Sequence, residues 1–242
     1  MTAANLKKST VAEIKERFDK DVERFSNLET GQQSTIDAPL SLELITEAAK
    51  AVNPKATHLL DIGCGAGNYT LKMLSKLPSL HCTLIDLSQP MLIKANERVS
   101  AATSGKVETI QGDIREIALP DNQYDIILAG AVLHHLREEK EWEAVFTTFH
   151  RALKAGGSLW ISDLIVHDTA AISSIVGEKY GSYLKELGGE AYQKNVFAYI
   201  EKEDTPRSLN YQLDLLKQVG FANVEVLHKH LCFAAFGGIK QA

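Results

Sequence analysis

Apolar and polar positions along the chain follow two different periods, which separate predicted helices from predicted strands. In residues 10–25, apolar side chains recur at spacings of three and four with charged residues between them, and this pattern predicts an amphipathic helix. A polar stretch over residues 26–37 predicts a loop. Residues 40–52 predict a second helix, which Asn53 and Pro54 end.

From residue 58 onward, short apolar runs alternate with helical patterns. The predicted strands are 58–62, 82–85, 107–110, 124–128 and 158–161. The predicted helices between them are 69–77, 88–100 and 138–153. Strands that alternate with helices predict an α/β fold, in which helices cover both faces of a parallel sheet.

The last third of the chain departs from this alternation. Residues 164–206 are rich in Tyr and contain several Gly, and they predict no further strand. Residues 208–219 predict a helix that Gly220 ends, and residues 223–229 and 231–236 predict two tightly joined strands. We expect this last pair to be antiparallel and to lie at the edge of the sheet.

Composition and charge narrow the class of protein. The chain has 242 residues, of which 45% are hydrophobic and 24% charged, with a formal net charge of −5. This balance argues against disorder and against a broad nucleic-acid-binding surface. The longest nearly apolar stretch, residues 126–133, is too short to span a membrane, and the N-terminal residues lack the apolar block of a secretion signal. Scattered cysteines without a C-x-x-C pair suggest no disulfide framework, so we predict a cytoplasmic protein.

The most informative run of residues joins the first predicted strand to the next helix. Gly63, Gly65 and Gly67 occupy every second position there. Such glycines allow positive φ angles and let the backbone and the helix N-terminus approach a ligand closely. The spacing G-x-G-x-G differs from the dinucleotide-binding pattern G-x-G-x-x-G, and Asp61 precedes the turn. A carboxylate at this place disfavours a phosphate and suits a ligand with a positively charged amine.

Acidic and small residues follow the next strands at the same end of the predicted sheet. Asp86 can accept hydrogen bonds from both hydroxyls of a ribose, and Asp113 with the backbone of Ile114 can select adenine. Residues 129–131 are small and leave room for a ligand. Taken singly, Asp86 is more often a helix cap and Asp113 a turn residue. Taken together, these residues lie where open α/β sheets bind ligands, and they predict a nucleoside site.

These motifs resemble those of the class I S-adenosylmethionine-dependent methyltransferases. The resemblance spans residues 57–163 and rests on DIGCGAG (61–67), LIDLSQPML (84–92), GDI (112–114), YDIILAGAVLHHL (124–136) and RALKAGG (151–157). It implies a single domain over residues 1–242, with a Rossmann-like, seven-stranded, mostly parallel sheet, helices on both faces and an antiparallel final strand. It also implies S-adenosyl-L-methionine as the cofactor.

The resemblance further implies a role for each matching residue. The three glycines of the turn would pack under the methionine part of the cofactor, and Asp61 would hold its amino group. Asp86 would bind the ribose. The other implied contacts are with adenine, from Leu87, Met91, Asp113 and Ile114, and with the methionine ammonium, from the backbone of Ala129.

Methyl transfer needs an oriented acceptor more than a catalytic pair, because a sulfonium methyl group is already electrophilic. His134 and His135 follow the fourth predicted strand and are candidate catalytic bases, although histidines here more often cap a helix or pack beside the cofactor. Asp163, after the fifth strand, is a candidate substrate contact, with a structural role as the alternative. Two adjacent histidines lack a metal-binding spacing, so no metal is predicted.

Two segments are candidates for covering the substrate. Residues 1–40 would form a helical lid, and residues 164–206 would form a cap. The aromatic side chains of the cap either line an acceptor pocket or pack on the sheet, and they are Tyr180, Tyr183, Tyr192, Phe197 and Tyr199. Cys64 is expected to be a small structural residue of the turn rather than a nucleophile, and His167 and Asp168 are expected to be loop residues.

The leading hypothesis is a methyltransferase that acts on a small-molecule acceptor. A second is a relative of carboxy-S-adenosylmethionine synthase, a tRNA-modification enzyme, which needs a cation for the extra carboxylate. Arg207 is the only arginine after Arg151, and its position does not match that of the family clearly. A third is a cofactor-binding module without turnover, which shares every cofactor motif. A nicotinamide-dependent oxidoreductase is least favoured, because of the glycine spacing and Asp61.

Overall fold

The computed structural model describes residues 7–27 and 31–242 and contains a seven-stranded sheet. The strands are β1 (His58–Ile62), β2 (His81–Asp86), β3 (Val107–Gln111), β4 (Tyr124–Gly130), β5 (Leu153–Leu164), β6 (Phe221–His230) and β7 (Phe233–Lys240). Their spatial order is β3-β2-β1-β4-β5-β7-β6. This arrangement confirms the predicted α/β class and the Rossmann-like, mostly parallel sheet.

Strand direction determines where such a sheet can bind a ligand. β1 pairs in parallel with β2 and β4, and β4 pairs in parallel with β5. β7 runs antiparallel to both of its neighbours, β5 and β6, which confirms the predicted antiparallel pair at the sheet edge. The chain passes from β1 to β2 on one side and later to β4 on the other, so the carboxyl ends of β1 and β4 flank the switch point of the sheet.

Helices cover both faces of the sheet, as predicted. The described helices are α1 (Val11–Asp19), α2 (Val22–Ser26), α3 (Ala38–Val52), α4 (Asn68–Leu74), α5 (Gln89–Ser100), α6 (Glu139–Ala152), α7 (Ala170–Glu203) and α8 (Leu209–Gln218). α3, α4 and α5 pack on one face, while α6 and α8 pack on the other around the buried Trp142 and Phe146. In the described ranges, no helix has the length and apolar character needed to cross a bilayer.

The N-terminal segment differs from the single helix predicted over residues 10–25. α1 begins at a capping box, in which the Glu13 N–H donates to the Thr10 hydroxyl and the Thr10 N–H donates to the Glu13 carboxylate. α2 starts directly after Asp21. An aspartate competes for backbone hydrogen bonds inside a helix, which favours a break at this point. Within the predicted loop 26–37, residues 28–30 lie outside the described residues.

The segment between β5 and α8 folds into a helical hairpin. α7 is helical except at Gly189, where φ of 80° and ψ of −178° turn the chain. A Cβ on Gly181 would lie 2.6 Å from the Gln193 side chain, so the two limbs of the hairpin pack closely. The Tyr180 hydroxyl donates to the Ser34 carbonyl at 2.9 Å, which joins the hairpin to the segment before α3. The sequence pattern missed this hairpin because the apolar residues of α7 follow no single helical stripe.

Asp61 anchors the junction between β1 and α4. Its side chain is buried and accepts hydrogen bonds from the Thr70 hydroxyl at 2.6 Å and from the Thr70 N–H at 3.2 Å. Burial raises the pKa of Asp61 to about 7; the bonds from Thr70 act against this rise, and the nearby Asp86 adds to it. The turn after β1 is therefore held by a carboxyl group that binds a proton more tightly in the folded chain than in the unfolded chain.

We expect Asp61→Asn to change how stability depends on pH. Below the unfolded pKa both states of wild type carry the proton. Between about pH 4 and pH 7 only the unfolded state ionises, so the free energy of unfolding of wild type falls as pH rises, whereas that of the Asn variant does not share this fall. The free energy of unfolding of the Asn variant should therefore rise relative to that of wild type by up to about 4 kcal/mol over this range. Urea unfolding at pH 4, 5.5 and 7 measures it.

The matched control is Asp214→Asn, which removes an exposed carboxylate on α8. Its profile should run parallel to that of wild type. Parallel profiles for wild type and the Asp61 variant would contradict the expected proton uptake by the buried carboxyl group.

Candidate functional site

A cavity of about 490 Å³ lies at the carboxyl ends of β1, β2, β4 and β5. Its floor is formed by the glycine turn after β1 and by residues 130–132. Its roof comes from two segments that are distant in sequence: α1 and α2 contribute Phe18 and Phe25, and the α7 hairpin contributes Tyr199. The cavity therefore has the size and position of a small-molecule site in an open α/β sheet.

The glycine turn adopts the left-handed backbone conformation that its glycines predict. Gly63, Gly65 and Gly67 have φ angles of 62°, 52° and 84°, in the left-handed region. A Cβ on Gly63 would lie 2.5 Å from the Val132 side chain, whereas a Cβ on Gly65 would enter open space beside the cavity. The turn thus packs tightly on one side and presents bare backbone to a ligand on the other.

Asp86 lies next to this turn at the end of β2. Its carboxylate accepts from the Gly65 N–H at 2.8 Å and from the Ser88 N–H at 2.8 Å. Burial raises the pKa of Asp86, and the backbone donors act in the opposite direction. Leu87 and Met91 line the cavity beside it. Asp86 is therefore placed to accept hydrogen bonds from a ligand that rests on the turn.

Asp113 and Ile114 line a smaller pocket of about 180 Å³, which adjoins the main cavity at Gly63, Asp86 and Leu87. The Asp113 carboxylate accepts from the Arg115 guanidinium at 2.9 and 3.0 Å. Burial opposes the charge of Asp113, but the bonds from Arg115 hold its pKa below the usual value. A ligand that reaches this pocket meets a carboxylate already engaged by arginine.

Three predicted cofactor residues, Asp61, Gly67 and Ala129, lie behind the cavity wall rather than on it, and a Cβ on Gly67 would face Val99 and Ala95 of α5. Asp61 is buried beneath the glycine turn, and Ala129 is fully buried in β4. The next two residues, Gly130 and Ala131, line the cavity instead. A Cβ on Gly130 would lie 2.5 Å from the Tyr69 ring, so this position also has to remain small.

His134, His135 and Asp163 come together with Asp204 at the far end of the cavity. The Asp163 carboxylate accepts from the Leu133 N–H at 2.8 Å and contacts Nδ1 of His134. Since an ionised carboxylate only accepts, Nδ1 is the donor in this contact. Asp204 Oδ1 lies 3.7 Å from His134 Nε2 and 3.5 Å from His135 Nδ1.

The two histidines have opposite electrostatic surroundings. Burial disfavours the charge of His134, but Asp163 and Asp204 outweigh it and raise its pKa to about 9. Burial, the neighbouring His134 and Arg17 all hold the pKa of His135 well below its usual value. Burial raises the pKa of Asp204 to about 6 against the attraction of His134. With its proton held in this way, His134 is a poor base at neutral pH.

Asp204 is the site residue that the sequence analysis missed. It follows α7 directly and reaches the cavity only because the hairpin folds back over the sheet. Nothing in its local sequence pairs it with residues of the β4 loop. An acid near the end of the predicted cap, two residues before Pro206, is the one local signal that was present.

The other cap and turn residues divide between lining and packing. Tyr180, Tyr192 and Tyr199 line the cavity, whereas the Tyr183 hydroxyl donates to the Gln33 carbonyl at 3.0 Å. Phe197 packs against Tyr180. Burial raises the pKa of the Cys64 thiol, which is unsuited to a nucleophile, as expected.

Three comparisons relate this chain to known proteins. Residues 59–157 match a family described as methyltransferase domain. Demethylmenaquinone methyltransferase of Listeria welshimeri is 25% identical over 232 residues, which cover 93% of this chain and 97% of that protein. Carboxy-S-adenosyl-L-methionine synthase of Campylobacter lari is 25% identical over 204 residues, which cover 83% of this chain and 84% of that protein.

A solved structure extends the likeness to the fold. The DhpI–SAH complex is 18% identical, with a TM-score of 0.63, and the match covers 96% of this chain and 98% of that chain. The sheet order, the left-handed glycine turn and the matched domain agree with the motifs found in the sequence. These findings support the resemblance to the class I S-adenosylmethionine-dependent methyltransferases.

Proposed function

We propose that this enzyme transfers the methyl group of S-adenosylmethionine to an apolar, aromatic small molecule that binds under the α7 hairpin. The observation that carries the proposal is the continuity of the cavity: it extends from the glycine turn, residues 63–66, to the rings of Phe18, Phe25 and Tyr199. One end of the cavity has the features of a nucleoside site and the other is aromatic, so a cofactor and an acceptor fit side by side.

The residues at the turn fit S-adenosylmethionine. Gly65 leaves open space where any other residue would place a Cβ. Asp86 would accept from the ribose hydroxyls, and Leu87 and Met91 would pack beside the adenine. The N–H groups at the start of α4 and the backbone of 129–131 would surround the methionine part, with Asp61 beneath it. When bound, the cofactor supplies an electrophilic methyl group.

The contribution of the protein is to orient the acceptor and exclude water. Phe18 and Phe25 pack against each other with ring centroids 5.4 Å apart, and both line the roof. Arg17 joins α1 to the end of α7 through two-pronged hydrogen bonds to the Glu203 carboxylate. A roof closed in this way holds an acceptor close to the cofactor, which is the main requirement of the reaction. The Listeria relative, whose name specifies demethylmenaquinone, agrees with an apolar acceptor.

The alternative of a carboxy-S-adenosylmethionine synthase has a relative in Campylobacter lari at the same identity. That chemistry needs a cation for the extra carboxylate, and Arg207 is the only arginine after Arg151. Arg207 lies outside the cavity lining, over the Tyr211 ring, and its guanidinium donates to the Arg137 carbonyl. Arg24 lines the cavity, but its guanidinium donates to the Asp21 carboxylate, so methyl transfer is the function that the cavity supports best.

We expect Asp86→Asn to weaken the binding of S-adenosylhomocysteine, because the amide replaces a charged acceptor for the ribose and for the Gly65 N–H. The expected loss is about 10- to 100-fold in Kd, measured by calorimetry. Asp121→Asn, which removes an exposed carboxylate paired with Arg151, is the matched control and should bind as wild type does. Equal affinity of the Asp86 variant and the control would place the cofactor elsewhere.

We expect turnover with an aromatic acceptor and a specific loss in Phe25→Ala. Release of labelled methyl from S-adenosylmethionine to a panel of phenols and naphthoquinols identifies an acceptor. Truncating Phe25 removes apolar contact, so the KM for that acceptor should rise about tenfold while the Kd for S-adenosylhomocysteine stays unchanged. Leu40→Ala, at an exposed position outside the lining, is the control.

Two outcomes would contradict this proposal. Cofactor binding without methyl release to any member of the panel would favour a binding module. A rise in the KM for S-adenosylmethionine alone would mean that Phe25 covers the cofactor rather than the acceptor.

A further inference from the structure

We propose that His134, His135 and Asp204 bind a divalent first-row transition metal, such as Zn²⁺, at the acceptor end of the cavity. The three ligand atoms, one from each side chain, all lie within 4.8 Å of one another. Two imidazoles and one carboxylate are donors that suit zinc and iron. The sequence predicted no metal, because adjacent histidines lack the usual spacing, and the third ligand comes from the end of α7.

The distances fit metal ligands better than they fit hydrogen bonds. Asp204 Oδ1 lies 3.7 Å from His134 Nε2 and 3.5 Å from His135 Nδ1, beyond hydrogen-bond reach. Ligand atoms about 2.0–2.1 Å from a tetrahedral zinc are separated by roughly 3.3 Å, so a small inward movement brings these atoms to coordination distance.

Unsatisfied polar atoms point to a missing partner at this place. Asp204 Oδ1 is buried and forms no hydrogen bond. Neither ring nitrogen of His135 has a partner of good geometry, although the Glu203 backbone lies near the ring. Leaving such atoms unpaired costs about 1–3 kcal/mol each, which a bound cation would offset.

The surroundings of His134 match those of a metal-bound histidine. Its Nδ1–H is held by the Asp163 carboxylate, which itself accepts from the Leu133 and Leu164 N–H groups. This arrangement holds a proton on Nδ1 and leaves Nε2 directed toward Asp204. A carboxylate on the second nitrogen is the usual support of a histidine ligand.

The charge balance also favours a cation, because two carboxylates face the single charge that His134 can carry. Asp163 and Asp204 are each 4% exposed, and both lie within contact of His134. The neighbouring basic groups are engaged elsewhere, Arg17 with Glu203 and Arg137 with the Thr205 hydroxyl. Buried carboxylates in proteins are paired or coordinate metals.

A metal held by three side chains keeps at least one position for another ligand. This position faces the cavity, since all three residues line it together with Tyr199. Resting on the proposed function, we infer that an oxygen of the acceptor, such as a phenol or enol oxygen, occupies it. The metal would then fix which acceptor oxygen lies next to the cofactor.

Metal binding is tested with full-length protein that carries no histidine tag and has been freed of metal with EDTA. Calorimetry with Zn²⁺ and the visible absorption of added Co²⁺ should show a site that Asp204→Asn and His135→Ala each weaken about 10- to 100-fold. His230→Ala is the matched control, because His228, His230 and Asp37 form a second histidine–carboxylate group at the surface. Retained S-adenosylhomocysteine affinity shows that each variant is folded.

The outcomes separate the site from the proposed function. Loss of metal binding in His230→Ala but not in Asp204→Asn, or no binding in wild type, would overturn the metal site and leave methyl transfer standing. Metal binding without S-adenosylhomocysteine binding would keep the site and overturn the function. Acetohydroxamate, an oxygen donor, should change the spectrum of the Co²⁺-loaded protein; an unchanged spectrum would overturn the open position.

Discussion

The left-handed backbone of the glycine turn is the constraint on which the rest of the structure depends. Gly63, Gly65 and Gly67 take φ angles that other L-residues adopt only at a cost of roughly 1–2 kcal/mol each. Two carboxyl groups fix the turn: Asp61 binds the first turn of α4, and Asp86 holds the Gly65 N–H. Because the turn is fixed from β1 and β2 at once, the floor of the cavity is set before any ligand arrives.

The sequence was sufficient for the parts of the fold that follow local rules. Alternating apolar runs predicted every parallel strand, and Gly220 and the final apolar pair predicted the antiparallel edge. The glycine turn and Asp86 could be predicted because each lies at the carboxyl end of a predicted strand, where the Gly65 N–H then donates to Asp86. Such features need only neighbours in sequence to be recognised.

The roof and the far end of the cavity bring together segments that are distant in sequence, and no local pattern predicts their meeting. The break between α1 and α2 and the hairpin at Gly189 are set by single residues. Asp204 reaches His134 only through the path of α7. For Asp61, the sequence predicted that the residue belongs to the site but not where its side chain lies. The side chain lies behind the cavity wall because it bonds to Thr70.

The ion pair between Arg17 and Glu203 bears on how ligands are exchanged. It joins the two segments of the roof, and Glu203 is only 7% exposed there. Separation along this seam breaks the pair and returns two charges to water. A shielded pair is also weakly screened by salt. Opening this seam must also break the bond from the Ser9 N–H to the Lys202 carbonyl, so ligand exchange through it depends on contacts that lie outside the reacting centre.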